Sequence, residues 1–343
     1  MQVEELGFSE WEDGLPAKGF DVFHLPEALR VIDRHTSGNL HLFGGYQGNE
    51  LVGLCPVHLS SQLGVNVLTS PPLGFGIGRL GPVIMSSSPK QRKRETINKR
   101  FVRGIIETTN ATNRTSLVRF ACSPTFSDPR PFKWNGFDIT PQFTYCIDLA
   151  NTSADEVLMS FSRDLRREIR NQDEVDFTIR IAGADAAEQI IQSMAERFKE
   201  QGLRNPLSWD FVGDLINSLE NRVRVYAAES AAGEFISGMI ILYSNETAYF
   251  WKGGTKVENT DVSPNSLLHW QVIEDILTDP NLEEITKYDL YSANNERLVG
   301  YKSGFGGSLN RYYVVESNSP LTSVAKGVYR MYAYRKHPFQ KNA

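Results

Sequence analysis

Three apolar runs in quick succession constrain this chain more than anything else in it: RVRVYAAE (222–229), FISGMIILYS (235–244) and TAYFWKGG (247–254), with reversals at Ala232/Gly233 and Asn245/Glu246. Each run is rich in β-branched and aromatic residues and each gap has room only for a turn. They predict an antiparallel meander at the centre of a sheet. SPNSLLHWQVIEDILTD (263–279) follows as a helix with Leu268, Val272 and Ile276 facing inward. Then come the strand ITKYDLYS (285–292), a polar loop that carries Lys302, and a further strand reaching Val315.

Upstream of the meander, FTYCIDLA (143–150) reads as a strand, and Ser153 with Glu156 forms a capping box that opens a helix running to about Asn171. A second helix carries Ala187, Ile190, Ile191, Met194 and Phe198 and stops at Gly202. A third, capped by Ser208, carries Phe211, Val212, Leu215, Ile216 and Leu219. GLRNPLS, with Arg204, is the loop between them. This half is strand, helices, three antiparallel strands, helix, strand, loop, strand, an α+β order.

The first half begins with FDVFH (20–24) as a short strand and a helix opened by Pro26 with Ala28, Leu29 and Ile32 at helical spacing. LHLFGGYQGNELVGLCPVHLS (40–60) is a hairpin reversing at Gly48 and Asn49. The glycines Gly74, Gly76, Gly78 and Gly81 are followed by Pro82 and an apolar run, not by the helix a phosphate loop requires, and read as a structural turn. Residues 90–109 predict a basic helix, with Lys90, Arg92, Lys93, Arg94, Lys99, Arg100 and Arg103 as a solvated face around Ile97, Phe101 and Ile105. TSLVRFACS (115–123) is a strand, and Pro129, Pro131 and Pro141 mark an irregular seam. A chain of 343 residues exceeds one compact core, so the seam predicts domains at 1–141 and 142–343.

A net charge of -5 supplies no global field toward nucleic acid or an anionic membrane, so any anion site must be local. No stretch approaches the roughly 18 apolar residues of a membrane helix, and the acidic start lacks the pattern of a signal peptide. Cys55, Cys122 and Cys146 are odd in number, far apart and in apolar strand runs, as buried thiols in a reducing cytoplasm would be. The six histidines show no metal-ligand spacing and no G-x-S-x-G elbow occurs, so no metal site and no serine nucleophile is expected.

One local anion site stands out. Arg163, Arg166, Arg167 and Arg170 form a stripe opposite the apolar face of Val157, Leu158, Phe161, Leu165 and Ile169. Guanidinium forks suit phosphate or carboxylate, so the stripe fits an anionic substrate or an RNA backbone. A solvated face with Asp164 and Glu168 as local partners is the competing reading.

Taken in order, SRDLRREIR (162–170), ERFKEQG (196–202), YFWKGGT (249–255), SPNSLLHW (263–270), YDLYS (288–292) and GYKSGFGG (300–307) resemble the Fem-type aminoacyltransferases and related GNAT-like acyltransferases. The first half is similar to that group's degenerate N-terminal copy through CPVHLS, GPVI and the DPRPF to ITPQFTYCIDL connection. The resemblance implies an α+β chain of tandem GNAT-like domains, each a mixed, mostly antiparallel sheet flanked by helices. It also implies transfer of an acyl or aminoacyl group from acyl-CoA or aminoacyl-tRNA, with no permanently bound cofactor. The acceptor would be an amine on a small molecule, a peptide or a lipid-linked precursor. Two features depart from the pattern: the second half lacks the R/Q-x-x-G-x-G/A loop of coenzyme A enzymes, and nothing identifies the acceptor.

Aminolysis of an ester or thioester needs a neutral amine, a proton acceptor and positive charge or N–H donors at the developing oxyanion. Lys302, framed by Tyr301, Phe305, Gly306 and Gly307, is the candidate for that charge, with a solvated lysine as the alternative. Asp289 is the first carboxylate for proton acceptance or amine positioning and Glu296 the second, although an aspartate at a sheet edge also caps its own loop. Tyr249, Trp251 and Lys252 are placed to wall the cleft, and Trp270 to pack. SPLTSVAKGVYRMYAYRKH (319–337) reads as a basic aromatic helix whose Tyr329, Tyr332, Arg335 and Lys336 fit RNA, lipid headgroups or simple packing. The rival to catalysis is a non-catalytic module that binds an anionic ligand or RNA.

Overall fold

A computed structural model describes residues 1–62, 64–85, 88–202, 207–256 and 262–318. Arg204 and the C-terminal helix expected over 319–337 lie outside the described residues. The chain divides into two compact units, Met1–Gln142 with the chain from Arg311 onward, and Phe143–Asn310. The second unit is therefore narrower than a domain spanning 142–343.

The first unit contains β1 (Gln2–Glu5), α1 (Phe8–Gly14), α2 (Pro26–His35), β2 (Asn39–Gln47), β3 (Glu50–Gln62), β4 (Val65–Ser70), β5 (Val83–Ile84), α3 (Gln91–Thr108), β6 (Ser116–Ala121) and α4 (Arg130–Trp134). β2 and β3 form the hairpin, with Gln47 opposite Glu50 and Gly48 at φ 64° in the reversal. β4 and β6 are parallel, joined by the crossover through α3. Phe101, Val102, Ile105 and Ile106 of α3 are buried in a core with Phe120, Phe126, Phe132 and Phe137, and the basic residues stay outside. FDVFH is not a strand: Val22–His24 is a single 3-10 turn, in which the Asp21 N–H donates to His24 Nδ1 at 3.2 Å just before Pro26 starts α2. The proline seam is not a loop either, because β7 (Phe137–Asp148) runs straight through Pro141.

The second unit continues with α5 (Ala154–Ser160), α6 (Arg163–Arg170), β8 (Phe177–Ala182), α7 (Ala184–Glu200), α8 (Trp209–Leu219), β9 (Val223–Ser230), β10 (Phe235–Tyr243), β11 (Thr247–Thr255), α9 (Pro264–Thr278), β12 (Lys287–Asp289) and α10 (Glu296–Ser303). β13 (Ser308–Ser317) begins in this unit, and its end, from Val314 to Glu316, pairs antiparallel with β6 in the first. Within the second unit the strand order is β7-β12-β11-β10-β9-β8, antiparallel throughout except for the parallel β11/β12 pair. Tyr226, Ile241, Trp270, Ile273, Tyr288 and Phe305 belong to its buried core.

The helix expected from Ser153 to Asn171 is two helices. Ser153 and Glu156 do form the capping box of α5, but Ser162 accepts the Leu165 N–H at 3.4 Å and starts α6 afresh. The Ser162 N–H donates to Gly304 O at 2.8 Å, so the break serves to dock α6 on the end of α10. Val157, Phe161, Leu165 and Ile169 remain buried across the break. Cys55, Cys122 and Cys146 are buried free thiols, and burial pushes the first two above the ordinary thiol pKa. No helix of the described residues is long and apolar enough to cross a membrane, and no group of ligating side chains among them could hold a metal ion.

Candidate functional site

The second unit has a fork in its sheet. β11 pairs with β12 only at Thr247↔Lys287, Ala248↔Tyr288 and Tyr249↔Asp289. From Phe250 to Thr255, β11 continues with no strand beside it on that edge among the described residues. A β-bulge lies at the fork. On the β10 side Ile241 faces Phe250 and Ile240 faces Lys252, which leaves Trp251 as the extra residue. Bulges turn a strand and increase its twist, so β11 leaves β12 where the pairing stops.

Beyond Asp289 the chain forms an arch. Tyr291 and Ser292 both have positive φ, 56° and 77°, a backbone conformation that non-glycine residues adopt only when the surroundings enforce it. Here they do. Lys302 Nζ donates to the carbonyls of Leu290 at 2.7 Å, Tyr291 at 3.0 Å and Ser292 at 2.9 Å. From the other side, Asp289 accepts the Tyr291 N–H at 2.7 Å and the Thr144 hydroxyl, while Thr144 Oγ1 accepts the Ser292 N–H at 3.2 Å. The Leu290 and Ala293 N–H groups donate to Tyr145 O and Phe143 O.

Lys302 is therefore not a loop lysine. It sits in the last turn of α10, buried, with all three ammonium protons used on main-chain carbonyls. No N–H is left over for an oxyanion, and the geometry makes Lys302 a staple that positions one wall of the fork. Burial lowers its pKa to about 8, against the opposing charge of Asp289. Asp289 likewise caps its own arch. Glu296 is exposed in the first turn of α10 and makes no printed contact with either group.

An aromatic cluster fills the space between the arch and α9. His269 is buried, with Nδ1 2.7 Å from the Tyr288 hydroxyl and its ring 4.7 Å from Phe250, 4.8 Å from Phe305 and 6.1 Å from Tyr301. Burial, helped by the nearby Lys302 charge, brings its pKa down to about 3, which keeps it neutral at ordinary pH. Lys302 Nζ lies 5.7 Å from the Phe250 ring centroid. Phe305, fully buried, stacks edge-on against Phe161 and Tyr301. Trp270 packs on Phe161, as expected of a core residue.

Of the predicted site residues, the structure brings together Lys302, Asp289, Tyr301 and Phe305. Tyr249 and Trp251 do not wall this cluster. Both are buried, Trp251 against Phe211 of α8, and Tyr249 with its hydroxyl 3.4 Å from Ser244 Oγ. Phe250 takes the place assigned to them. Lys252 lies with its ammonium 5.0 Å from the Trp251 ring. Arg163, Arg167 and Arg170 are exposed on α6 and make no ion pair among the described residues, whereas Arg166 bonds Met159 O at 2.9 Å. Glu168 is not their partner: its Oε2 is buried and turned away from water. His269, Tyr288, Thr144 and Phe250 were not singled out by sequence. Only His269 carried a usable signal, a histidine on the inward face of an apolar helix.

Residues 159–303 match the family model for an acetyltransferase (GNAT) domain, which covers the fork, the arch and the aromatic cluster. No curated protein matches the sequence. Among solved structures, the crystal structure of FemX is similar with a TM-score of 0.67 at 11% identity, covering 91% of this chain and 97% of that one. The C-terminal domain of a putative lysylphosphatidylglycerol synthetase from Agrobacterium fabrum is similar with a TM-score of 0.57 at 11% identity, covering 95% and 96%. A tandem GNAT protein from the clavulanic acid biosynthesis pathway is similar with a TM-score of 0.52 at 10% identity, covering 92% and 97%. At such identities the likeness establishes the fold: the chain has the tandem GNAT architecture, and its second unit carries the GNAT domain.

Proposed function

We propose that this protein is a cytoplasmic acyltransferase that moves an acyl or aminoacyl group from an activated donor to an amine, with the donor seated in the β11/β12 fork. One observation carries this reading: a parallel pair that stops at Tyr249 and Asp289 while β11 runs on past a bulge to Thr255. An unpaired strand edge offers backbone N–H and C=O groups to an extended ligand, and such N–H groups can stabilise charge on a reacting carbonyl. Lys302 and Asp289 support the reaction by fixing the arch, not by exchanging protons with the substrate. His269, held neutral, lets an aromatic wall approach the reacting groups without adding a charge.

Both donor classes remain in play on chemical grounds. The similar structures include proteins named for lysyl transfer to phosphatidylglycerol and for coenzyme A chemistry. Arg163, Arg167 and Arg170, exposed and free of ion pairs among the described residues, suit the phosphates of either a tRNA or coenzyme A. The test is to incubate the full chain with acetyl-CoA or alanyl-tRNA and a panel of primary amines, and to look for amide products by mass spectrometry. Product with one donor is expected. Binding of either donor with no product from any amine would instead support a non-catalytic module that recognises an anionic ligand.

A further inference from the structure

Two buried oxygen atoms in the second unit have no hydrogen-bond partner, and both lie beside Tyr301. Glu168 Oε2, on α6, and Ser266 Oγ, in the first turn of α9, are each shielded from water. Ser266 is completely buried, and Glu168 is half-buried. The Tyr301 hydroxyl lies close enough to Ser266 to feel it as a hydrogen-bonding neighbour and close enough to Glu168 to feel its charge. Three contacts hold the three side chains together. α6 packs on α9, the start of α6 is tied to Gly304 at the end of α10, and the Tyr301 ring lies 5.2 Å from Phe305 and 6.1 Å from His269. Tyr301 itself is 37% exposed, so the group borders solvent at that side chain.

Such an arrangement is unusual for a structural site. Buried polar groups are paired in the great majority of cases, and an unpaired carboxylate oxygen is costly to shield from water. Nearby cations do not relieve it: among the described residues Glu168 makes no ion pair, and the arginines of its own helix face outward or bond Met159 O. Lys302 is committed to its three carbonyls. A carboxylate, a hydroxyl that can accept, and a phenol at the rim together lack one thing, a compact donor of several N–H bonds with a positive charge.

We propose that Glu168, Ser266 and Tyr301 form a subsite that receives the ammonium group of a substrate. This rests on the acyl-transfer reading for the reason an ammonium would be present, but not for its chemistry of binding. Two sources of the group are possible in such a reaction, the α-ammonium of an aminoacyl donor and the ammonium of an amine acceptor before it loses its proton. The shared chemistry is a primary ammonium that donates to Glu168 Oε2 and Ser266 Oγ while Tyr301 closes over it.

The test is a binding measurement that needs no turnover. Isothermal titration of the full chain with alanine methyl ester, a donor mimic, and with Nα-acetyl-lysinamide, an acceptor mimic, is compared in the wild type, Glu168→Gln and Tyr301→Phe. Wild type should bind at least one of the two. Glu168→Gln should weaken that probe at least about tenfold, the factor expected for one charge-assisted hydrogen bond. Tyr301→Phe should weaken it by a smaller factor. Selective loss of the ester identifies the donor as the source, and selective loss of the lysinamide identifies the acceptor. Glu168→Gln that is folded by circular dichroism and binds as wild type overturns the proposal, as does a wild-type chain that binds neither probe. Ammonium binding lost in Glu168→Gln by a protein that transfers nothing would leave the subsite standing and remove the acyl-transfer reading.

Discussion

Each unit contains one parallel strand pair made by a crossover helix, and the two pairs end differently. In the first unit β4 stops at Ser70, still paired with β6, and the chain then returns: Leu80 bridges Cys122, its N–H donating to Ala121 O at 2.9 Å. Gly81 closes the gap. Its N–H donates to Ser70 Oγ at 3.0 Å, its carbonyl meets His24 Nε2 at 3.1 Å, and a Cβ there would come within 2.8 Å of Cys122 Cα. In the second unit β11 outruns β12, the bulge at Trp251 turns it away, and an arch stapled by Lys302 forms the opposite wall. The same supersecondary unit is thus filled by its own chain in one copy and left open in the other. A fold that can bind between strands does so only where the chain does not return to fill the gap.

The largest expected effect comes from removing the staple. Lys302→Met would leave the carbonyls of Leu290, Tyr291 and Ser292 without their donor and should cost about 3 kcal/mol or more of unfolding free energy, read by urea titration. Transfer activity should fall in parallel with stability. If activity vanished while stability stayed at the wild-type value, Lys302 would act on the substrate directly and the contrast between a staple and a catalyst would fail. Next is the closed fork. Gly81→Val combines a φ of 61° with a clash against backbone, and should cost about 2 kcal/mol by the same titration while donor binding to the second unit persists.

A third test uses pH. The folded chain keeps His269 neutral down to about 3, while an unfolded histidine takes up a proton below about 6.5. The unfolded state then binds more protons, so this contribution is complete above the unfolded value and is lost as pH falls toward the folded one. Between those values the wild type should lose about 1.4 kcal/mol per pH unit more than His269→Gln, seen in urea titrations at several pH values. Equal slopes would mean that the aromatic wall is open to water. The smallest effect is Tyr288→Phe, which removes the hydroxyl on His269 Nδ1 and should cost about 1 kcal/mol in the same assay.

Much of the second unit was legible in the sequence because its signals are local: the meander, the capping box at Ser153, the cap at Ser208 and the apolar face of α9 each declare themselves within a few residues. What was illegible depends on contacts far along the chain. The break at Phe161 and Ser162 exists because α6 docks on Gly304, which no local period reveals. Period-two reasoning placed Tyr249 and Trp251 at the cleft, but the bulge at Trp251 resets the alternation and Phe250 faces it instead. Lys302 reads as a lone lysine among glycines and aromatics. Its three acceptors come from an arch ten to twelve residues earlier in the chain, and only their positions show that its protons are already engaged. In the first unit, the proline seam looked like a joint because proline is rare inside strands, yet β7 passes through Pro141.

Hydrogen–deuterium exchange of the full chain with and without donor tests the contrast between the two forks most directly. With acetyl-CoA or alanyl-tRNA bound, amides from Phe250 to Thr255 should gain protection while those of β4 and β6 stay unchanged. Protection confined to the first unit, or binding that leaves Phe250 to Thr255 as exposed as before, would contradict the account.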